Sequence, residues 1–448
     1  MRAFPMNIRS GASQEGTTVG ACAYPVGLFL ACFAFSYLDR QIMSILVEPL
    51  KATLHISDIQ IGILQGFSFT LCYATAGVII SRMVDSANRV RLIAVCVAIW
   101  ACSTMLCATA GSYTELLIWR GGTAIAEAAL SPAVLSLFAD MFIASRLTRA
   151  TGIFMLGPYI GSGLALTGGG MLLGWLTREM GHMPGLAAMH PWQWVFLIVG
   201  LPGILLSILV FFTVSEPARR NHQASQTSVE KGTPAFRDVL NELLVKNRFC
   251  LPFYFAYTCL IMLFYSLTAW FPTVMMRHFT LTAGYVGQIT GPVYMCAGVV
   301  GVLLAGKLVR AALPANLLRD SLKVSACACG LLIIFSVLAS CMPFSTAIIF
   351  YAITLFCASI TMALAPIPLQ IAIPNRMRGR AISLLVFMTN LLGGGIGPFL
   401  VGYLSQKFHG IDNALGLGLA IVSVSAATAA TLFYTLAMKR SATAVSHD

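Results

Sequence analysis

The chain has 448 residues, 58% of them hydrophobic and 10% charged, with a mean hydropathy of +0.83 and a formal net charge of +12. This excludes a soluble globular domain, in which about a quarter of residues are charged. The basic excess raises nucleic acid as a partner, and the placement of the basic residues decides against it.

Residues 1–19 are polar, rich in Gly, Ser and Thr, and carry Arg2 and Arg9; they read as a cytoplasmic tail. The apolar run behind them outlasts a cleavable signal and reads as an uncleaved first spanning helix, for which about 20 apolar residues suffice. Six candidate spans, 22–48, 57–81, 90–111, 113–140, 147–176 and 191–214, make up a first bundle over 20–214. A polar stretch, 215–248, reads as a cytoplasmic linker. Six further spans, 249–273, 283–309, 318–341, 344–372, 379–405 and 413–437, make up a second bundle over 249–438, and 439–448 form a second cytoplasmic tail. The expected fold class is an all-α, multi-pass membrane protein with 12 transmembrane helices in two six-helix bundles.

Cytoplasmic loops collect Lys and Arg. With an even number of spans both termini share a side, and that side holds 22 of the 28 basic residues; four lie opposite, and Arg40 and Arg120 lie within spans. Both termini are therefore expected in the cytoplasm, and the positive charge is a topology signal rather than a nucleic-acid footprint. No Asn-x-Ser/Thr sequon occurs, which points to a bacterial inner membrane. The 13 cysteines lie in or beside apolar segments without metal spacing and read as reduced packing residues, so no metal and no cofactor is expected.

The halves echo one another. Ser81-Arg82-Met83-Val84-Asp85 matches Gly306-Lys307-Leu308-Val309-Arg310, Arg149-Ala150 matches Arg380-Ala381, and Leu173-Gly174-Trp175-Leu176 matches Val401-Gly402-Tyr403-Leu404, at offsets of 225, 231 and 228. Near-constant spacing predicts a duplicated six-helix unit, the arrangement in which two bundles rock about a site between them.

Four charges stand inside first-half spans: Asp39 and Arg40 in the first helix, Arg120 and Glu127 in the fourth. A charge at mid-span costs roughly 2.5–3.5 kcal/mol on insertion scales, so such residues usually face a polar cavity. Asp39 lies eight residues from the expected helix end at Val47, about 12 Å, and Arg120 seven residues from Tyr113, about 10 Å. Equal depth predicts one cluster if the two helices adjoin; an interfacial Asp39-Arg40 and a purely structural ion pair are the alternatives. Desolvation raises a carboxylate's pKa and a neighbouring Arg lowers it. Asp39 has Arg40 beside it, whereas Glu127 is two turns from Arg120, so Glu127 is the expected proton carrier.

These residues resemble the major facilitator superfamily and, within it, the Spinster-like transporters. Ser81 to Arg91 resembles the superfamily's gating loop, with Asp85 and Arg89 kept and Ser81, Ser86 and Val90 departing from its Gly and basic positions. Tyr37-Leu38-Asp39-Arg40, Arg120-Gly121, Glu127-Ala128, Asp140-Met141-Phe142 and Pro374-Asn375-Arg376 carry the Spinster likeness, with Ala126 where Gly is usual. The resemblance implies a gradient-driven, proton-coupled carrier, expected as a monomer since one copy of this fold can function alone, among membrane lipids; its eukaryotic relatives move sphingolipid or lysophospholipid species. Asp85 and Arg89 are expected to bond Asp140, Arg146 or Arg149 as a cytoplasmic gate.

The second half carries almost no buried charge. A cavity charged on one wall and hydrogen-bonding on the other suits a small amphiphile with a polar or anionic head, contacted by Tyr37, Ser131, Tyr257, Tyr265, Gln288, Tyr294 and Asn390. An organic-anion or drug carrier of the same superfamily is the alternative, and a non-transporting receptor or scaffold follows it. No catalytic constellation appears, so an enzyme is not expected.

Overall fold

The computed structural model describes residues 19–180, 189–219, 247–311, 316–373 and 375–444. Most of the expected tail, 1–18, and of the expected linker, 220–246, lies outside them, as do Pro374 and 445–448. Among the described residues there is no strand, and 12 helices are long and apolar enough to cross a membrane. They are α1 (Ala23–Leu54), α2 (Asp58–Ser86), α3 (Arg89–Thr109), α4 (Tyr113–Met141), α5 (Arg146–Glu179), α6 (Pro191–Thr213), α7 (Cys250–His278), α8 (Ala283–Val309), α9 (Leu317–Cys341), α10 (Phe344–Ala372), α11 (Met377–Lys407) and α12 (Ala414–Ser441). An apolar surround offers the backbone no partner, so each span satisfies its N–H and C=O groups internally as helix. With an even number of spans, the start of α1 and the end of α12 share one end of the protein, the near end; the other is the far end.

The same helix pairs pack in each half: α3 with α6 and α1 with α5 in the first, α9 with α12 and α7 with α11 in the second. Between the halves the seam is α2 against α11, α5 against α8 and α1 against α7. Glycines allow the approach. A Cβ on Gly62 would lie 2.7 Å from the Pro398 carbonyl oxygen, one on Gly66 2.6 Å from that of Gly395, and one on Gly170 2.6 Å from that of Ala283. These contacts lie in the middle and far half. The near-end segments Ala144–Phe154 and Asn375–Met388 pack within their own bundles.

Several spans are irregular. π-helical segments interrupt α2 (Ile63–Phe67), α5 (Ala165–Gly169) and α11 (Thr389–Ile396). All three belong to helices of the seam, and such bulges recur at functional sites. The α4 helix breaks at Ala128 and Ala129, directly after Glu127. Pro132 explains the break, since it has no N–H for the Ala128 carbonyl and its ring crowds that group.

The expected end of the first helix needs correction. It runs through Pro49 and Lys51 to Leu54, so Asp39 lies fifteen residues, about 22 Å, from its end. Proline at 49 forfeits one bond to the preceding turn without stopping the helix, because the flanking residues Val47 and Leu50 are fully buried and hold the last turns in place.

Ion pairs close the far end. Arg277 of α7 donates to Glu48 of α1 at 2.7 Å and to Asp58 of α2 at 2.8 Å. Asp58 also pairs with Lys51 and accepts from Ser405 Oγ of α11 at 2.8 Å. One carboxylate thereby ties three helices from both bundles. Arg277→Gln is expected to loosen this end by about 1 kcal/mol, about fivefold in the open population. The check is the labelling rate of an Ile56→Cys thiol in a cysteine-free background; an unchanged rate would show that the glycine seam alone closes the far end.

Candidate functional site

Asp39, Arg120 and Glu127 are 1–2% exposed, and the Arg40 side chain is 15% exposed. Their pairing is crossed between α1 and α4. Arg120 Nη1 donates to Asp39 Oδ2 at 3.1 Å, and Arg40 Nε donates to Glu127 Oε2 at 2.6 Å. Adjacent residues on a helix point about 100° apart, so Asp39 and Arg40 turn to different partners rather than to each other. The sequence reading therefore needs correction at its premise: Glu127 has its own guanidinium and also accepts from Ser36 Oγ at 2.8 Å.

Arg40 is caged as well as paired. Its Cζ lies 4.9, 4.7 and 4.6 Å from the ring centroids of Tyr37, Phe69 and Tyr73, and Arg120 Cζ lies 5.3 Å from that of Phe69. Ring faces attract cations, by about 2 kcal/mol or more when both are desolvated. The cage can thus keep Arg40 in place when its carboxylate partner changes charge. Asp39 Oδ1, Glu127 Oε1 and Arg120 Nε are buried without a hydrogen-bond partner. The Asp39–Arg120 pair thus keeps two unused atoms and the Arg40–Glu127 pair one.

The cluster backs onto a central cavity where the bundles meet. Arg40 and Arg120 line it from the first bundle, and Tyr37, Tyr265, Tyr294 and Asn390 of the expected contacts line it too. Ser131, Tyr257 and Gln288 do not. Ser131 lies past the α4 break, Tyr257 is eight residues, about 12 Å, nearer the near end than Tyr265, and Gln288 is exposed on α8, turned from the Gly287 face that meets α5. Sequence reasoning missed Gln65 and Ser162, which also line the cavity; a polar residue beside glycine within a span was the available signal. The volume is about 60 Å³, room for about four water-sized groups. A larger cavity, about 580 Å³, lies over the far-end ion pairs, where Lys51, Asp58 and Arg277 already satisfy one another. The chemistry therefore points to the smaller one. Among the described residues no group of three or more His, Cys, Asp or Glu could hold a metal.

At the near end Arg89 is buried and donates to Asp140 at 2.6 Å and to Glu216 at 2.7 Å. Glu216 also accepts from the Val90 N–H at the start of α3, and Arg219 donates to the Val84, Asp85 and Ala87 carbonyls at the end of α2. Of the expected gate, Arg89 and Asp140 are brought together. Asp85, Arg146 and Arg149 are exposed, and none forms an ion pair among the described residues. Arg146 and Arg149 lie on the segment Ala144–Phe154, whose main contacts are within its own bundle, and Asp85 lies at the exposed end of α2. No spacing in the sequence announced Glu216, which reaches Arg89 only because the chain folds back after α6.

A family model described as the Major Facilitator Superfamily matches residues 29–398. The chain is 28% identical over 404 residues to an "MFS-type efflux pump" of Mycolicibacterium smegmatis, covering 90% of this chain and 89% of that one. It is 25% identical to "Protein spinster homolog 1" of Xenopus tropicalis, covering 84% and 71%. A solved bacterial homolog of the human lysosomal transporter Spinster, in an inward-facing and unoccupied conformation, superposes with a TM-score of 0.78 at 23% identity, over 95% of this chain and 99% of that one. A D-xylose–proton symporter superposes with a TM-score of 0.66 at 15% identity, over 91% and 97%.

Removing one member of a buried pair leaves an uncompensated charge and costs about 3–5 kcal/mol. Arg120→Met is expected to destabilise the purified protein by that amount, and adding Asp39→Asn to restore most of the loss. Denaturant unfolding measures both; a single-variant loss below about 1 kcal/mol would mean the pair is solvated.

Proposed function

The chain belongs to the major facilitator superfamily, a family of transporters rather than enzymes, and is Spinster-like within it; we propose that it is a proton-coupled secondary transporter of an amphiphilic small molecule. The substrate class is lysolipid or sphingolipid-like. Transport proceeds by alternating access, with the central cavity exposed first at one end and then at the other. One copy contains the whole cavity, so a monomer suffices. The near end, which carries most of the basic residues, is cytoplasmic, in a bacterial inner membrane.

The observation that carries the reading is the crossed pair of ion bonds behind the cavity. Glu127 remains the proposed proton carrier, now on different grounds: its cation, Arg40, reaches the cavity, while Glu127 itself does not line it. A proton on Glu127 removes the counter-charge of Arg40 and leaves the guanidinium held by its rings and free for a substrate head. When Glu127 ionises again, it competes for Arg40 and displaces the head. Asp39 and Arg120 sit one step behind as the conformational partner.

The closed far end and parted near ends fit a cytoplasm-facing state of this cycle. Opening the far end then requires Arg277 to leave Glu48 and Asp58, and the glycine seam to slide. Efflux of a compact organic anion or drug is the second reading, supported by the name of the mycobacterial relative and by the small cavity.

Proteoliposomes loaded with a fluorescent lysolipid test the coupling. With one proton per substrate, a gradient of one pH unit sustains about a tenfold concentration ratio. Glu127→Gln should keep exchange at equal pH and lose the response to the gradient. A variant that still responds like the wild type would exclude Glu127 as the carrier.

A further inference from the structure

Gln65 stands in the π segment of α2, where its side chain lines the central cavity. The backbone there is pinned, because the adjoining Gly66 lies against the Gly394 and Gly395 carbonyls of α11 with no space for a Cβ. Its donor is nevertheless unused: Nε2 is buried without a hydrogen-bond partner. A buried donor left unmade costs about 1–3 kcal/mol. Arg120 Nε, at a side chain 2% exposed, is idle in the same way and belongs to the same cavity.

The charges facing this cavity are of one sign. Arg40 and Arg120 line it, and no carboxylate does; Asp39 and Glu127 lie behind their guanidinium partners. The remaining polar lining is hydroxyl and amide, from groups such as Ser162, Thr268 and Asn390. A cationic head would meet two positive charges and no counter-charge. An anion would meet two guanidinium groups and the unused amide donor.

We infer that the cavity is a subsite for the substrate's head as an acceptor-rich anion, a phosphate monoester or a carboxylate, and that Gln65 is a specificity-determining donor to it beside Arg40 and Arg120. This rests on the transport reading and narrows it. Charge-assisted bonds to such a head are the strong kind, and guanidinium groups suit both phosphate and carboxylate. The volume of about 60 Å³ takes a head of a few oxygen-sized groups; the alkyl part lies outside it.

The full-length protein, purified in a neutral maltoside, is titrated with dodecyl phosphate, dodecylphosphocholine, dodecyltrimethylammonium and inorganic phosphate, with binding read by thermal stabilisation and by calorimetry. Dodecyl phosphate is expected to bind at least about tenfold more tightly than the zwitterionic and cationic detergents. Gln65→Leu should weaken dodecyl phosphate about tenfold, leave dodecylphosphocholine unchanged, and keep the ligand-free melting point. Equal or tighter binding of dodecyltrimethylammonium would overturn the anion subsite, and full phosphate affinity in Gln65→Leu would overturn the role of Gln65. Inorganic phosphate binding as tightly as dodecyl phosphate would support the subsite while overturning the amphiphile reading. Binding is read without a gradient, so a failure of proton coupling at Glu127 leaves these outcomes distinguishable.

Discussion

A charge within an apolar bundle must be answered by another charge, and in this protein that requirement fixes how α1 meets α4. Arg40 takes Glu127 and Arg120 takes Asp39, so two bonds cross between the same two helices, from neighbouring positions on α1 to positions two turns apart on α4. Neither bond joins sequence neighbours. Because each guanidinium comes from a different helix, α1 cannot shift along α4 without parting both pairs at once. A buried pair contributes little net stability against a well-packed apolar replacement, yet breaking one is costly. The arrangement is therefore better suited to setting a relative position, or switching it, than to strengthening the fold.

The cavity inherits its character from this constraint. Carboxylates that hold guanidinium groups from behind leave the positive groups facing the space between the bundles. The rings of Tyr37, Phe69 and Tyr73 then surround Arg40 from α1 and α2. Phe69 touches both guanidinium groups, so the two pairs share a wall. The π segments of α2 and α11 meet beside that wall, where Gly66 lies against Gly394 and Gly395. Seam, cavity and ion pairs are thus one contiguous assembly, and movement at the seam is felt at the charges.

The twelve spans, the two halves and the four buried charges were legible in the chain, since apolar length and the rarity of mid-span charge are local signals. Depth counting matched Asp39 to Arg120 even though α1 ends later than expected, because the comparison needed only similar levels in two helices. Sequence adjacency misled for Arg40, whose nearest acid along the chain is Asp39 and whose actual partner is Glu127; rotation about the helix axis, unlike depth, depends on how the helices are turned toward each other. The far-end cluster was present only as isolated loop charges, Lys51 and Arg277 among them. Nothing along the chain says that Asp58 is reached from α1, α7 and α11 together.

Hydropathy, repeat spacing and charge placement are properties of segments, so the chain alone dictates how many helices form, where they begin and which of them carry charge. Partnership is a property of pairs of segments. Which carboxylate answers Arg40, that Glu216 folds back to Arg89, and that Gln65 faces a cavity with an unused donor were decided by packing. Helix rotation, the break at Pro132 and the glycine seam set those directions, and each depends on atoms far apart in sequence.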